Sequence, residues 1–109
     1  HLLVKPIGEL ELLSKIMKWI LSVFASKFNR KYNRKGHVWY DRFKSRIVDT
    51  IEYYKVIFEY ISNNPVKAKL TDSIYTYKYS GIFHLTNKNY TLVEKPSKLI
   101  LKLFPKWRI

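Results

Sequence analysis

"HVWYDRFKSRIV", His37–Val48, is the stretch on which the fold of this 109-residue chain turns. In an extended chain successive side chains point to opposite faces. Trp39, Phe43 and Ile47 then share one face, while Arg42, Lys44 and Arg46 share the other. The alternation is imperfect: Asp41 interrupts the apolar side, and Val38, Tyr40 and Val48 dilute the basic one. The spacing predicts a strand with a core face and a cationic face.

On the C-terminal side, Asp49 and Glu52 have the spacing of a capping box, with Asp in place of the usual Ser or Thr. Ile51, Tyr54, Phe58 and Ile61 form the apolar stripe of the helix that follows. Pro65 biases Asn64 away from helical geometry, so the helix is expected to end there. Beyond Leu70, "SIYTYKYSG" reads as a Tyr-rich turn or extended segment. "FHLTNKNYTLVEK" has no clear period, and "SKLILKLF" predicts a short amphipathic helix. On the N-terminal side Gly36 is a natural helix stop. Before it, Leu13, Ile16, Met17, Ile20, Phe24 and Phe28 recur at helical steps, which predicts about five turns starting near Glu9. "HLLVK", His1–Lys5, has strand composition and is punctuated by Pro6 and Gly8.

Hydrophobic residues make up 47% and aromatics 17%, which is enough for a packed core and argues against disorder. No linker long enough for a second domain and no internal repeat stand out. The 21 Lys+Arg against 8 Asp+Glu leave a formal net charge of +13. A polyanion offsets the self-repulsion of such an excess, so nucleic acid is the first expected partner. An anionic membrane surface ranks below it, because the helices read as core-forming rather than interfacial. No apolar run approaches the roughly 20 residues of a membrane span, and no signal peptide is expected. With no cysteine, disulfides, thiol catalysis and cysteine-held zinc are excluded.

The basic groups concentrate in Lys27, Arg30, Lys31, Arg34, Lys35, Arg42, Lys44 and Arg46, with Tyr32, Trp39, Tyr40 and Phe43 between them. Cations pair with phosphates and aromatics stack on unpaired bases. Tyr60 and Asn64 are four apart and share a helix face if the last turn holds. A phenol that attacks a phosphate needs a cation to stabilise the charge that builds up, and an amide oxygen suits a hard divalent ion. On spacing alone Tyr60 is one tyrosine among nine, and a packing role is the ordinary reading. His84 reads as structural or exposed, and His37 as a turn or phosphate contact. His1 on its own says nothing. No glycine-rich phosphate loop, paired carboxylates or Ser-His-Asp set is evident.

Taken in order, "HLLVKP", "LSKIMKWI", "FNRKYNRKGHVWYDRFKS", "YISNNPVKA" and "YKYSG" resemble the REP-associated tyrosine transposases of the HUH superfamily of single-strand DNA transposases. The resemblance runs from His1 to about Gly81, and "GHVWYDRFKS" and "YISNNPVKA" are its most specific parts. It implies an α+β fold, here a partial ferredoxin-like domain that is helix-rich with a short antiparallel sheet. Residues 1–81 would be the C-terminal portion of the catalytic domain, and 82–109 an extension of unassigned role. It implies metal-dependent cleavage and rejoining of single-stranded or hairpin-bearing DNA through a 5′-phosphotyrosine. Tyr60 would be the nucleophile. Asn64 would be a ligand of a divalent Mg²⁺ or Mn²⁺, and His1 the second histidine of the ligand pair. The basic residues named above would hold the DNA.

In this resemblance the first histidine of the pair would lie two residues before His1, so the chain reads as an N-terminally truncated transposase. The alternative is a catalytically incompetent fragment that only binds nucleic acid through its basic face. A cytoplasmic, nucleoid-associated bacterial protein is expected, with a monomer favoured over a dimer.

Overall fold

A computed structural model describes residues 1–109, apart from the side chain of Leu10. Four helices follow one another: α1 (Leu10–Lys31), α2 (Ile51–Lys67), α3 (Gly81–Thr86) and α4 (Lys98–Leu103). Among the described residues there is no strand, which overturns the α+β expectation and with it the short antiparallel sheet. The chain forms two compact units. One comprises His1–Leu3 with Val48–Ile109, and the other Val4–Ile47.

In the unit Val4–Ile47, α1 runs for 22 residues. Glu11 in its first turn and Arg30 and Lys31 in its last complement the helix dipole. Phe24 and Phe28 stack at 5.9 Å between ring centroids, and Phe28 meets Tyr32 at 4.7 Å. The helix stops before Gly36 is reached. Asn33 takes the left-handed conformation, φ 49°, and the Arg34 N–H donates back to the Asn29 carbonyl at 2.8 Å. Asparagine tolerates this conformation, and the reversed bond closes the orphan carbonyls of the last turn.

His37–Val48 is a run of bends and irregular backbone. A strand exists only where a neighbour takes its N–H and C=O groups, and no such neighbour is present among the described residues. The segment instead folds back on α1. Trp39 Nε1 donates to the Leu21 carbonyl at 3.0 Å, its ring lies 5.2 Å from that of Phe24, and Asn29 Nδ2 donates to the Gly36 carbonyl at 3.0 Å. Asp41 claims the next N–H, that of Arg42, at 2.7 Å, a local bond that competes with any ladder. "HLLVK" is likewise irregular, for the same want of a partner.

In the other unit Thr50, not Asp49, caps α2: its hydroxyl accepts the Tyr53 N–H at 3.1 Å. The helix passes through Pro65 and ends at Lys67, against the expectation that proline stops it. Proline lacks the N–H that the Ile61 carbonyl would accept. So close to the helix end that loss is confined to one bond, and two features offset it. Pro65 is buried, and its carbonyl accepts the Leu70 N–H at 2.9 Å as Lys69 turns to φ 57°. Ser80 caps α3 and Ser97 caps α4, the helix expected from "SKLILKLF". The buried apolar core is small: Ile82, Leu85 and Phe104. Phe104 meets Phe58 of α2 at 4.7 Å and Trp107 at 4.9 Å, so residues beyond α3 complete the packing of α2.

Candidate functional site on the C-terminal half of α2

Residues two apart on a helix lie about 200° around its axis. Phe58 therefore turns toward Phe104 and Trp107, while Tyr60 turns away from them. Tyr60 is 44% exposed, so its ring is not a core group. Because α2 continues unbroken to Lys67, Asn64 and Lys67 follow Tyr60 at steps of four and three, on one face. The last turn on which that shared face depends holds through Pro65.

The His1 ring meets Tyr60 edge-on, with centroids 5.4 Å apart and planes at 71°. The Lys67 ammonium lies over the same phenol ring, 5.5 Å from its centroid. An imidazole and a cation thus border one accessible phenol, with an amide one turn along the helix. Asn63, the neighbouring amide, is otherwise engaged: its Nδ2 donates to the Glu59 carbonyl at 2.8 Å. Lys67 joins the site only through the structure. The signal was its spacing, seven residues from Tyr60, which places it two turns along on the same face.

The donors beside Tyr60 suit a hard divalent ion in kind but fall short in number. His1 offers an imidazole nitrogen and Asn64 an amide oxygen. Among the described residues no group of three His, Cys, Asp or Glu side chains could hold a metal ion.

The eight basic residues all lie in the unit Val4–Ile47. Lys27, Arg30 and Lys31 occupy the end of α1, Arg34 and Lys35 the turn after it, and Arg42, Lys44 and Arg46 the irregular segment. All eight are exposed. The strand that was to align Arg42, Lys44 and Arg46 on one face does not form. Lys44 instead pairs with Asp41 at 3.3 Å, an exposed contact of little energetic weight. Of the other histidines, His84 is half-buried with Nδ1 3.3 Å from Asn89 Nδ2, and His37 is exposed.

Tyr54, on the first half of α2, has its phenol pKa pushed up, first by burial and then by the charge of Glu94. It lines a cavity of about 330 Å³ with Ile100 and Leu103 of α4, which includes none of His1, Tyr60, Asn64 or Lys67.

The family model described as "Transposase IS200 like" matches residues 1–64. That is more than half of the chain. The chain belongs to the IS200-like transposase family. The matched span of this IS200-like transposase takes in His1, all eight basic residues, Tyr60 and Asn64, and stops three residues short of Lys67. No curated protein and no solved structure gives a significant match. Membership of a transposase family makes DNA the partner, and the family is generally dependent on a divalent metal. Among the described residues no helix is long and apolar enough to cross a membrane.

Proposed function

We propose that this chain carries the nucleophile of a single-strand DNA transposase of the HUH tyrosine type, and that Tyr60 is that nucleophile. The observation that carries the reading is the ring contact between His1 and Tyr60, which gathers an imidazole and an accessible phenol on the face of α2 that also bears Asn64. The phenol oxygen attacks phosphorus, a Tyr60 O–P bond forms, and the P–O3′ bond breaks. The phenol proton leaves to solvent and the departing oxygen takes up a proton, giving a 5′-phosphotyrosine and a free 3′-OH. The covalent link conserves the phosphodiester energy, so the strand is rejoined by the reverse reaction without a further energy source.

A bound Mg²⁺ or Mn²⁺ would polarise the scissile phosphate. His1 and Asn64 are the residues of this chain that would contribute to holding it. The exposed cations from Lys27 to Arg46 would hold a single strand by phosphate contact, with the exposed Tyr40 available for base stacking.

A second reading rests on the shortage of metal donors around Tyr60: a chain that binds single-stranded DNA without cutting it. One experiment separates the two. The protein is incubated with Mn²⁺ and hairpin-bearing single-stranded oligonucleotides, and a covalent adduct that survives a denaturing gel is sought. The nucleophile reading expects an adduct that Tyr60→Phe abolishes. An adduct that persists in Tyr60→Phe overturns it, and salt-dependent binding with no adduct supports the second reading.

A further inference from the structure

The geometry points to Lys67 as the residue that grips the DNA phosphate presented to Tyr60. This inference rests on Tyr60 being the nucleophile and extends the site one turn past Asn64. Three observations carry it. The Lys67 ammonium stands 5.5 Å from the centre of the Tyr60 ring, on the face of α2 that His1 also borders. The Lys67 side chain is exposed, and none of the ion pairs among the described residues involves it, so its charge is not spent on a carboxylate. Its position is also fixed by backbone chemistry. The turn after α2 is closed by the Lys69 and Leu70 N–H groups donating to the Val66 and Pro65 carbonyls, which anchors the last helical residue two turns from Tyr60.

A cation over a phenol face is held there weakly at an exposed site. A phosphate is a stronger partner for an ammonium than a ring quadrupole, so an incoming strand would draw Lys67 from the ring to a phosphate oxygen. In that position the ammonium stabilises the negative charge that accumulates on the phosphoryl oxygens as the Tyr60 oxygen closes on phosphorus. It donates hydrogen bonds and takes no part in proton transfer. Lysine acts here as a mobile point charge.

The test uses the full chain and a single-stranded oligonucleotide in which each phosphodiester is replaced in turn by an uncharged methylphosphonate. Lys67→Met and Lys67→Arg are compared with the parent by fluorescence anisotropy across a salt series, and circular dichroism checks that each variant keeps its helices. Loss of one phosphate contact lowers the slope of log affinity against log salt by about 0.7 for a single strand. The expectation is that loss for Lys67→Met and none for Lys67→Arg. One methylphosphonate position should weaken the parent and leave Lys67→Met unaffected, and it should be the linkage at which the Tyr60 adduct forms. Identical salt slopes and identical methylphosphonate profiles in the parent and Lys67→Met overturn the inference. A Tyr60-dependent adduct alongside those identical profiles overturns the Lys67 contact alone. A Lys67-dependent profile with no adduct upholds the contact and overturns the nucleophile reading.

Discussion

The imidazole of His1 sits edge-on to the phenol of Tyr60, 5.4 Å between ring centres. In the proposed reading the contact sets an imidazole that would help hold the metal beside the attacking phenol. Such edge-to-face pairs contribute about 0.5–1.5 kcal/mol beyond the area they bury. His1→Ala should therefore leave a folded protein, with an unfolding free energy in urea lowered by no more than that amount. On the proposed role of His1 in holding the metal, adduct formation with single-stranded DNA should fall at least about 10-fold. Rates of adduct formation at fixed Mn²⁺ concentration, measured beside the urea curve, check both halves.

Phe104 is the most deeply buried aromatic of its unit, level with Ile82, and packs against both Phe58 and Trp107. Phe104→Ala should cost about 3–5 kcal/mol, in the range for emptying a buried aromatic site. A unit with so few buried apolar residues has little stability to lose. The expected outcome is loss of cooperative unfolding in urea, and with it loss of any adduct at Tyr60, because α2 is seated on that aromatic cluster.

Thr50 provides the side-chain bond at the start of α2. Thr50→Ala should lower stability by about 1 kcal/mol, whereas Asp49→Ala should change it by a few tenths. Denaturant midpoints of the two variants decide between the cap found in the structure and the capping box expected from Asp49 and Glu52.

Tyr54 gives the protein an alkaline weakness. Its folded-state pKa lies above the ordinary phenol value of 10.0, through burial first and the Glu94 charge second. The folded state therefore holds the phenol proton more tightly than the unfolded state does. That contribution is fully present below 10.0 and is lost as pH rises from there through the higher folded-state value. Tyr54→Phe should flatten the decline in stability above about pH 10, since phenylalanine cannot ionise. Urea unfolding followed from about pH 8 to about pH 11, across the phenol range, tests the sign directly.

Substituting Arg42, Lys44 and Arg46 together by Gln should weaken binding to single-stranded DNA and reduce its salt slope by about 0.7 for each phosphate contact removed. Lys44 shares its charge with Asp41, so the triple substitution is expected to remove fewer than three contacts. Anisotropy titrations at several salt concentrations read the number out.

Helices were legible in the residue order because their hydrogen bonds close within four residues. The apolar steps from Leu13 to Phe28, the stripe from Ile51 to Ile61 and the segment "SKLILKLF" each correspond to a helix. The family was legible for a related reason, since motifs such as "YISNNPVKA" hold residue types at fixed spacing. The strands that alternation suggests do not form among the described residues. Alternation in "HVWYDRFKSRIV" describes what one face of a paired strand looks like, but pairing needs a second chain segment, and the described residues supply none. Trp39 instead spends its indole N–H on the Leu21 carbonyl. The helix α2 runs past Pro65 because the local penalty there is offset by its burial and by the Leu70 N–H. The surroundings of Tyr60 also belong to tertiary structure. Spacing places Asn64 and Lys67 along its helix, but only folding brings His1, from the far end of the chain's matched span, against its ring.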